Sequence, residues 1–297
     1  MPRSILLSPP SRCLVMGIVN ITPDSFSGDG LGRERDIIAA AVAQSVKFFQ
    51  AGVDILDIGG ESTRPGAAYI PAQEEAQRVA PVIAALRAEL PDVAISIDTY
   101  KASVAQAALS AGADIINDVW AFQADPDIAA VAQAANCPVI LMHNRSKPGH
   151  AEIDRVLGGS YTAPDYGAGF LRVVCQEMAD LAQNAIKAGV SGDRIILDPG
   201  VGFGKTPAQN MALIEGIDVI RAIGYPVLLG ASRKSFMGRV LNLPADDRRD
   251  PTLATTALAV QRGAAIVRVH DVEENVKVVR MTEAMLQAGK AARAERG

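Results

Sequence analysis

The sequence predicts a (β/α)₈ TIM barrel whose functional site lies at the carboxyl ends of its parallel strands. Short apolar runs alternate with helical segments about eight times, which implies parallel pairing with right-handed crossovers. No linker or shift of composition divides the 297 residues into halves. Polar residues also close the apolar runs in every part of the chain, namely Asn20, Asp57, Asp98, Asn117, His143, Asp198, Lys234 and His270.

A doubly wound open sheet is the alternative, because it shows the same alternation of strands and helices. An open sheet gathers its site at one switch point, whereas the polar strand ends here are spread over all the units. A (β/α)₈ barrel needs roughly 250 residues, which leaves room in this chain for insertions. We therefore predict a single domain over residues 1–297, with the barrel at 14–288 between a short amino-terminal extension and a charged carboxyl-terminal one.

The first five units follow from apolar runs and helical spacing. The run at 14–19 suits a strand buried on both faces, and it breaks at Asn20 into a loop rich in turn formers. Gly52 and Gly112 end two of the helices. Strands are predicted at 14–19, 53–58, 93–97, 114–116 and 138–142, and helices at 36–50, 72–90, 100–110 and 126–135.

The remaining units follow the longest irregular insertion, residues 144–165. A long helix is predicted at 166–187, because apolar residues recur there at steps of three and four: Phe170, Val174, Met178, Leu181 and Ala185. Further strands are predicted at 195–197, 226–229 and 265–269, and helices at 208–222, 251–262 and 273–286. Beyond the last helix we expect a charged, frayed end.

Composition argues against several classes of protein. The formal net charge of −4 and the pI near 5.5 argue against a nucleic-acid surface. No apolar run reaches the ~18 residues of a membrane span, and two prolines interrupt the apolar patch that a signal peptide would need. Cys13, Cys137 and Cys175 form no CxxC pair, which indicates small buried thiols. We therefore predict a soluble cytoplasmic protein.

The segment DPGVGFGKT at 198–206 looks like a phosphate-binding P-loop but fails its spacing. Counted back from Gly204, Lys205 and Thr206, the first glycine that the motif requires falls on Pro199. We expect these glycines instead to form a tight loop after a strand, with its backbone close to a flat ligand.

Three hydrogen-bond acceptors each close a strand: Asp98, Asn117 and Asp198. Any one of them alone could simply cap the following helix. Together they aim acceptors at the barrel mouth, where carboxylates beside an amide suit adjacent N–H donors, as in a 2-amino-4-oxo pyrimidine ring. A metal cluster built on the two aspartates is the alternative, and it lacks histidines at useful spacing.

Cationic residues accompany these acceptors: Lys234 in GASRKSFMG, Arg268 and His270 in VRVHDV, and Arg64 in ESTRPG. An apolar run carries Arg268 into the barrel mouth, and His270 falls on the same side two residues later. Strands 7 and 8 of such barrels commonly bind phosphate, so we predict an anion pocket. Asn20 offers a hard oxygen ligand for Mg²⁺ bridging that anion, with water at its other positions.

Eight motifs along nearly the whole chain resemble those of the dihydropteroate synthases, a pterin-binding family, and occur in the family's order. They are NITPDSFS, GGESTRPGA, IDTYK, IINDV, LMH, LDPGVGFGK, GASRKS and RVHD. The resemblance implies a (β/α)₈ barrel that joins 4-aminobenzoate to 6-hydroxymethyl-7,8-dihydropterin diphosphate in folate biosynthesis. The products would be 7,8-dihydropteroate and diphosphate, with Mg²⁺ as cofactor. It also favours a cytoplasmic homodimer that sulfonamides inhibit.

The resemblance also implies roles for individual residues. Those expected to hold the pterin are Asp98, Asn117, Asp198 and Lys234, and Met142 of the LMH motif is expected to bind substrate as well. Asn20 would meet Mg²⁺, while Arg268 and His270 would take the diphosphate, with Arg268 also lying over the pterin face. Those expected around 4-aminobenzoate are Phe26, Thr63, Pro65, Phe203 and Ser235, with Arg64 in the same loop as Thr63. The groups expected to act in the chemistry are Arg64, Lys234, Arg268 and His270.

Two segments depart from the family pattern, and two other functions stay open. The first loop reads SGDGLG and the segment after His143 reads NRSKPGH, which bears on the shape of the loop edges but not on the pterin pocket. A pterin-binding methyltransferase acting on methyltetrahydrofolate and a corrinoid partner would share the Asp–Asn–Asp pocket, but would have no use for the diphosphate cations. A non-catalytic paralogue would bind pterin without turnover.

Overall fold

Eight parallel strands form the barrel in the computed structural model, which describes residues 12–21, 34–62, 69–145, 153–154, 160–161 and 165–294. The strands are β1 (Leu14–Asn20), β2 (Ile55–Gly59), β3 (Ala94–Asp98), β4 (Ile115–Asp118), β5 (Val139–Met142), β6 (Ile195–Asp198), β7 (Leu228–Leu229) and β8 (Ile266–Val269). Parallel ladders join each strand to the next except at β6–β7, and β8 pairs with β1. A parallel bridge between Leu197 and Val227 closes the ring. The predicted (β/α)₈ fold is confirmed.

Helices connect the strands around this barrel. They are α1 (Glu34–Gln50), α2 (Ala72–Glu89), α3 (Ala102–Ala111), α4 (Asp127–Ala135), α5 (Phe170–Lys187), α6 (Pro207–Glu215), α7 (Ile217–Arg221), α8 (Ser235–Leu241), α9 (Arg249–Arg262) and α10 (Val272–Ala294). A 3₁₀ turn at Gly192–Arg194 precedes β6. Among the described helices, none is long and apolar enough to cross a membrane.

Alternation along the strands builds two separate apolar layers. The inner layer takes at least one buried residue from each of the eight strands: Leu14, Met16, Ile55, Ala94, Ile115, Ile140, Ile196, Leu228 and Ile266. Intervening residues such as Val15 and Leu56 belong to the larger core that packs under the helices. Because strand side chains alternate with a period of two, one set fills the barrel and the other faces outward. The filled interior leaves the mouth as the place for a ligand.

The same alternation brings polar residues into the barrel above the apolar layer. Asp57 lies two residues beyond Ile55 and therefore falls on the same side of β2. By the same two-residue periodicity, the following residues lie on the inner side of their strands, beyond the apolar layer: Asp98, Asn117, Met142, Asp198 and Arg268. The fold thus places most of the predicted pterin and anion residues on the inside of the barrel, at its carboxyl end.

The structure corrects several predicted elements. The helix predicted at 208–222 is two helices, α6 and α7, which meet at Gly216. A β-carbon at Gly216 would lie 2.6 Å from a side-chain carbon of Leu171 on α5, so close packing explains the glycine at this break. Helix α8 was not predicted, and two-residue antiparallel strands at Ile153–Asp154 and Ser160–Tyr161 lie within the insertion predicted to be irregular. The last helix continues to Ala294 instead of ending at 286.

The three cysteines are free thiols, as the sequence predicted. Cys13 and Cys137 are buried, and burial raises the pKa of these thiols to about 12 and about 11. Cys175 is partly exposed, with a pKa also raised by burial. Because the thiolate is the reactive form, these raised pKa values are typical of structural cysteines.

Candidate active site at the carboxyl ends of the strands

The strand register places the predicted polar residues on neighbouring strands at the barrel mouth. Across four adjacent strands, the paired positions run in the order Asn20, Gly59, Asp98 and Asn117. Farther around the barrel, Met142 on β5 pairs with Asp198 on β6. Residues predicted from separate motifs are therefore neighbours on consecutive strands, as the (β/α)₈ reading required.

Arg268 is the central cation of this site. Its Nε donates to Asp57 Oδ2 at 2.6 Å, and its Nη2 donates to Asp98 Oδ2 at 2.6 Å. Charge-assisted hydrogen bonds of this kind are strong, and two carboxylates on a planar guanidinium fix its orientation. The Arg268 side chain keeps 19% of its surface exposed, so it remains accessible from the mouth.

Asp57 joins Arg268 to the amide of the site. Its Oδ2 also accepts a hydrogen bond from Asn117 Nδ2 at 3.2 Å, and the Asp57 side chain is completely buried. The other carboxylate oxygens of Asp57 and Asp98, both Oδ1, are buried and make no hydrogen bond within the described part of the protein. Buried acceptors without donors are costly, so Asp98 at the strand end is suited to accept from a ligand.

Burial dominates the electrostatics of the acidic groups. The pKa of Asp98 is raised to about 7, because the effect of burial together with that of the nearby Asp57 outweighs the opposing charge of Arg268. Burial also raises the pKa of Asp198, against the backbone N–H of Gly200 and the charge of Lys234. Burial alone would lower the pKa of Arg268, but Asp57 and Asp98 raise it above the usual arginine value. Arg268 therefore stays charged.

The loop after β6 is the tight glycine turn that the sequence predicted. Gly200, Gly202 and Gly204 have positive φ angles of 69°, 85° and 59°. A β-carbon on Gly200 would lie 2.0 Å from the carbonyl oxygen of His143, so only glycine fits there. Asp198 Oδ1 accepts from the Gly200 N–H at 2.7 Å, which ties the loop to the strand end.

Lys205 anchors this loop from within. Its buried ammonium donates to the backbone carbonyls of His143, Gly200 and Phe203 at 3.3, 3.0 and 3.0 Å. Asn210 adds two bonds, accepting from the Gly202 N–H at 2.8 Å and donating to the Lys205 carbonyl at 3.2 Å. An ammonium with three donors can satisfy three carbonyls at once. The sequence pattern suggested a failed P-loop lysine here, and the structure shows a loop anchor instead.

Lys234 and Phe203 form the cationic and aromatic wall beside that loop. Lys234 Nζ lies 4.3 Å from the centre of the Phe203 ring. A β-carbon on Gly202 would lie 2.8 Å from Lys234 Cδ, so the glycine allows the lysine side chain to pass over the loop. Phe203 and Met142 belong to one buried apolar cluster at the mouth, together with Tyr100, Val119 and Trp120. Ser235, the first residue of α8, lines a small cleft with Gly202 and Arg239.

His270 follows β8 and is oriented by the neighbouring strand loop. Its Nδ1 lies 3.0 Å from Ser232 Oγ, and its backbone N–H donates to the same oxygen at 3.2 Å. Arg233 and Asp271 form an ion pair beside it, with Arg233 Nε 2.9 Å from Asp271 Oδ2. His270 therefore lies two residues beyond Arg268 on a braced segment, where a diphosphate could contact both.

A second buried charge cluster lies beside the site, and the sequence did not indicate it. Lys101 Nζ donates to Glu61 Oε2 at 2.8 Å, to Glu75 Oε2 at 2.7 Å and to the Ile70 carbonyl. Glu61 Oε1 accepts from the Ile70 N–H at 3.0 Å. The cluster thereby ties together the two ends of the loop that contains Thr63, Arg64 and Pro65. Those three residues and Phe26 lie outside the described residues, so their predicted roles stay predictions.

The residues at the mouth fit a magnesium ion only in part. The described residues contain no group of three or more His, Cys, Asp or Glu that could hold a metal. Asn20 ends β1 with its Oδ1 3.6 Å from where a β-carbon on Gly59 would lie, next to Asp98. Mg²⁺ is often held by one or two protein oxygens together with substrate phosphates and water. Asn20 fits such a role, in which the substrate supplies most of the ligands.

Comparison with known proteins agrees with this geometry. The family described as pterin binding enzyme matches residues 16–270. The dihydropteroate synthase of Bacillus subtilis (strain 168) is 44% identical over 283 residues, covering 95% of this chain and 92% of the relative. That of Synechocystis sp. is 43% identical over 277 residues, covering 92% and 90%.

Solved structures give the same result. Xanthomonas albilineans dihydropteroate synthase with 4-aminobenzoic acid has a TM-score of 0.82 at 39% identity, covering 93% of this chain and 94% of that one. The same enzyme with 7,8-dihydropteroate has a TM-score of 0.80 at 36% identity and the same coverage. The strand-end acceptors, the Arg268 cation and these similarities together show that the chain belongs to the dihydropteroate synthase family of pterin-binding enzymes.

Proposed function

We propose that this chain condenses 6-hydroxymethyl-7,8-dihydropterin diphosphate with 4-aminobenzoate, forming 7,8-dihydropteroate and releasing diphosphate. The observation that carries the proposal is the set of acceptors at the barrel mouth, the partly buried Asp98 and the buried Asn117 and Asp198, with Arg268 held between the carboxylates of Asp57 and Asp98. These acceptors match a flat ring with N–H donors, and Lys234 would donate to a ring oxygen. Arg268 and His270 lie at one side of this pocket, where the diphosphate would leave.

The reaction needs charge stabilisation rather than a strong base. Displacement at the pterin methylene leaves negative charge on the diphosphate. Hydrogen-bond donors aimed at that charge lower the free energy of the transition state more than that of the ground state. Arg268 and His270 supply such donors from this chain. The electron-rich pterin ring can share positive charge that develops on the methylene carbon. The aniline nitrogen of 4-aminobenzoate is already a nucleophile, so the chemistry rests on positioning.

We propose Mg²⁺ as the metal partner of the diphosphate, with Asn20 as a protein ligand. When bound, the ion would neutralise charge on the diphosphate oxygens. The support is the amide oxygen at the end of β1 beside Asp98 and the family resemblance. Binding of Mg²⁺ and diphosphate together, measured by calorimetry, should weaken in an Asn20→Ala variant.

We propose that 4-aminobenzoate lies against Phe203, with Ser235 near its far end. Support comes from the position of Phe203 under Lys234 and of Ser235 at the start of α8. A solved structure of the Yersinia pestis enzyme is described as a sulfonamide drug complex, and it is 36% identical to this chain over 93% of its length. We propose that sulfonamides likewise compete with 4-aminobenzoate here.

We further propose that the protein works in the cytoplasm as a homodimer. The family resemblance supports both proposals. The late helices support the second, since they carry large exposed apolar side chains: Met211, Val219, Val240, Leu241, Met281 and Met285. Exposed apolar side chains that share a surface are typical of interfaces between chains. Light scattering in solution would give a mass of about one chain instead of two if the homodimer proposal is wrong.

One assay tests the reaction against its alternatives. The protein would be incubated with the dihydropterin diphosphate, Mg²⁺ and 4-aminobenzoate, and the released pyrophosphate measured. We expect pyrophosphate release that depends on 4-aminobenzoate. Pterin binding without release would indicate a non-catalytic paralogue. Methyl transfer from methyltetrahydrofolate to a corrinoid, without pyrophosphate release, would indicate the methyltransferase.

A further inference from the structure

Asp57 is a buried group of the site whose position suggests a function beyond balancing charge. It lies in the middle of β2, where it pairs with Ile18 and Ser96 on the adjacent strands. Its side chain is completely buried, which places it below the level at which a ligand would lie. Its Oδ2 accepts from both Arg268 and Asn117, at 2.6 and 3.2 Å. Through Oδ2, Asp57 is linked to two residues that face the proposed ligand.

The contact with Asp57 fixes which way the Asn117 amide faces. Asp57 Oδ2 is paired with the Arg268 guanidinium, and a carboxylate in such a pair offers only acceptors to its neighbours. Asn117 must therefore turn its NH₂ group toward Asp57, since the opposite orientation would set two acceptor oxygens against each other. One N–H of that group is used by Asp57. The second N–H and the amide carbonyl are left to meet a ligand.

This pattern matches one edge of the proposed ring. In a 2-amino-4-oxo pyrimidine, the ring nitrogen N1 accepts, the 2-amino group and N3–H donate, and the 4-oxo oxygen accepts. A side chain that offers an N–H beside a carbonyl pairs with N1 and the 2-amino group, while a carboxylate pairs with the 2-amino group and N3–H. Asn117 on β4 and Asp198 on β6 lie on either side of Met142 on β5, which separates the two acceptors across the mouth.

We propose that Asp57 is the positioning residue that sets this recognition. By holding the Asn117 amide in one orientation, it lets Asn117 donate to N1 and accept from the 2-amino group at the same time. Asp57 would thereby select rings with an acceptor at N1. This inference rests on the proposed function, because it assumes that a pterin binds at the mouth.

The test compares two ligands in matched variants. Calorimetry would measure the affinity for pterin and for its 1-deaza analogue, in which a C–H replaces N1. In the wild type we expect the analogue to bind roughly 10- to 100-fold more weakly, because the Asn117 N–H then lacks an acceptor. In Asp57→Asn, which no longer fixes the amide, that ratio should fall toward one. Asp54→Asn is the control, since it alters a partly buried aspartate next to the same strand but at the opposite end of the barrel, and it should keep the wild-type ratio.

A second variant separates positioning from stability. The exchange Asp57→Asn with Asn117→Asp keeps the net charge and keeps an amide donating to a carboxylate, but leaves position 117 without an N–H. We expect it to recover stability lost in Asp57→Asn without recovering pterin affinity. If affinity returns with stability, Asp57 is only structural and the inference is overturned. If Asp57→Asn does not fold, pterin affinity can still be measured in the double variant Asp57→Asn with Asn117→Asp. If the wild type does not bind pterin, the proposed function is wrong. If it binds pterin but Asp57→Asn keeps the wild-type ratio of affinities for pterin and the 1-deaza analogue, only the inference about Asp57 is wrong.

Discussion

At the scale of single residues, the site is built from charged groups that are unfavourable to bury. Asp57 and Asp198 are buried, Asp98 keeps 11% of its side chain exposed, and Arg268 binds Asp57 and Asp98. A carboxylate loses solvation on burial, and an acceptor without a donor adds to that cost. Ligand N–H groups would supply the missing donors. Without a ligand, the site should therefore lower the free energy of unfolding. When the ring binds and supplies the donors, the same groups contribute to its affinity.

Replacing Asp98 tests this cost through its dependence on pH. Burial raises the pKa of Asp98 to about 7, whereas an unfolded aspartate has a pKa near 3.9. The folded state therefore holds its proton at higher pH, so the contribution of Asp98 to stability is greatest in acid and falls as the pH rises through 7. We expect Asp98→Asn without ligand to be more stable than the wild type at pH 8, by an amount that shrinks toward pH 5. Denaturant unfolding at both values measures this.

The same variant should lose pterin binding. Asp98 uses one carboxylate oxygen for Arg268 and has the other left for a ligand, whereas an asparagine has only one acceptor oxygen, so we expect affinity to fall by roughly 10-fold or more. Asp92→Asn, an exposed aspartate just before the same strand, is the control and should change neither property. A stability difference equal at pH 5 and pH 8 would contradict the raised pKa of Asp98.

Arg268 and His270 are expected to serve the diphosphate more than the ring. Alanine at either position should weaken pyrophosphate binding and turnover more than binding of a pterin without phosphates. Arg268→Ala should lose more than His270→Ala, because Arg268 also neutralises Asp57 and Asp98. Arg268→Lys keeps the charge but not the planar fork, so it should recover only part of the loss. Equal losses for both ligands would indicate that these residues merely hold the mouth together.

Much of the site could be predicted from single residues, and the omissions have a common cause. Asp98, Asn117 and Asp198 each close an apolar run, and such endings indicate a strand end facing the mouth. Asp57 was also expected to close an apolar run, but it lies inside β2, and nothing in the sequence indicates its partner Arg268, which is 211 residues away. Lys101 likewise finds Glu61 and Glu75 only in the folded chain. Pairings between distant positions are decided by the fold.

At the scale of elements, the conformation of the glycine loop after β6 depends on both its backbone and one side chain. Its positive φ angles require glycine, but glycines alone leave a loop free to take other conformations. Lys205 removes that freedom by binding three carbonyls, two of them within the loop. The loop in turn sets Phe203 under Lys234. A wall of the proposed 4-aminobenzoate pocket is therefore held by a lysine that lies behind it.

Replacing Lys205 by methionine tests that arrangement. Methionine keeps the length of the side chain but leaves three carbonyls without their donor. We expect the KM for 4-aminobenzoate to rise roughly 10-fold or more, with a smaller change in pterin affinity, because a displaced Phe203 affects the second substrate most. Lys187→Met, an exposed lysine at the end of α5, is the control. Equal effects on both substrates would mean that Lys205 supports the barrel in general rather than this wall.

Boundaries of elements were less predictable than their order. All eight strands follow the apolar runs, since burial on both faces leaves a clear pattern. The break between α6 and α7 was not predicted, because a glycine inside a helical pattern does not always end the helix, and the close approach of Leu171 to Gly216 is visible only in the folded chain. Helix α8 is seven residues long, which is too short for a reliable helical period.

At the scale of the whole molecule, the two ends of the barrel carry different kinds of charge cluster. At the carboxyl ends, buried acceptors such as Asp98 have oxygens without partners. At the amino ends, Asp54 is fully engaged: Oδ2 accepts from the Val15 N–H at 2.9 Å and from Arg12 Nη1 at 3.0 Å, and Arg280 lies 3.5 Å away. Barrels of this kind generally place function at the first end and stability at the second.

Removing Asp54 tests this division. Asp54 links the start of β1 through Val15 to Arg280 on α10, so Asp54→Ala would release a strand and the last helix from each other. We expect the free energy of unfolding to fall by ~1–3 kcal/mol, because Arg12 and the Val15 N–H lose a partly buried acceptor. Since this cluster lies at the far end of a packed interior, kcat/KM for both substrates should stay within about twofold of the wild type. Denaturant unfolding and steady-state assays at a temperature where both proteins are folded measure the two quantities. A variant of normal stability but low activity would mean that the amino end of the barrel controls the geometry of the site, so that function and stability are not separated between the two ends.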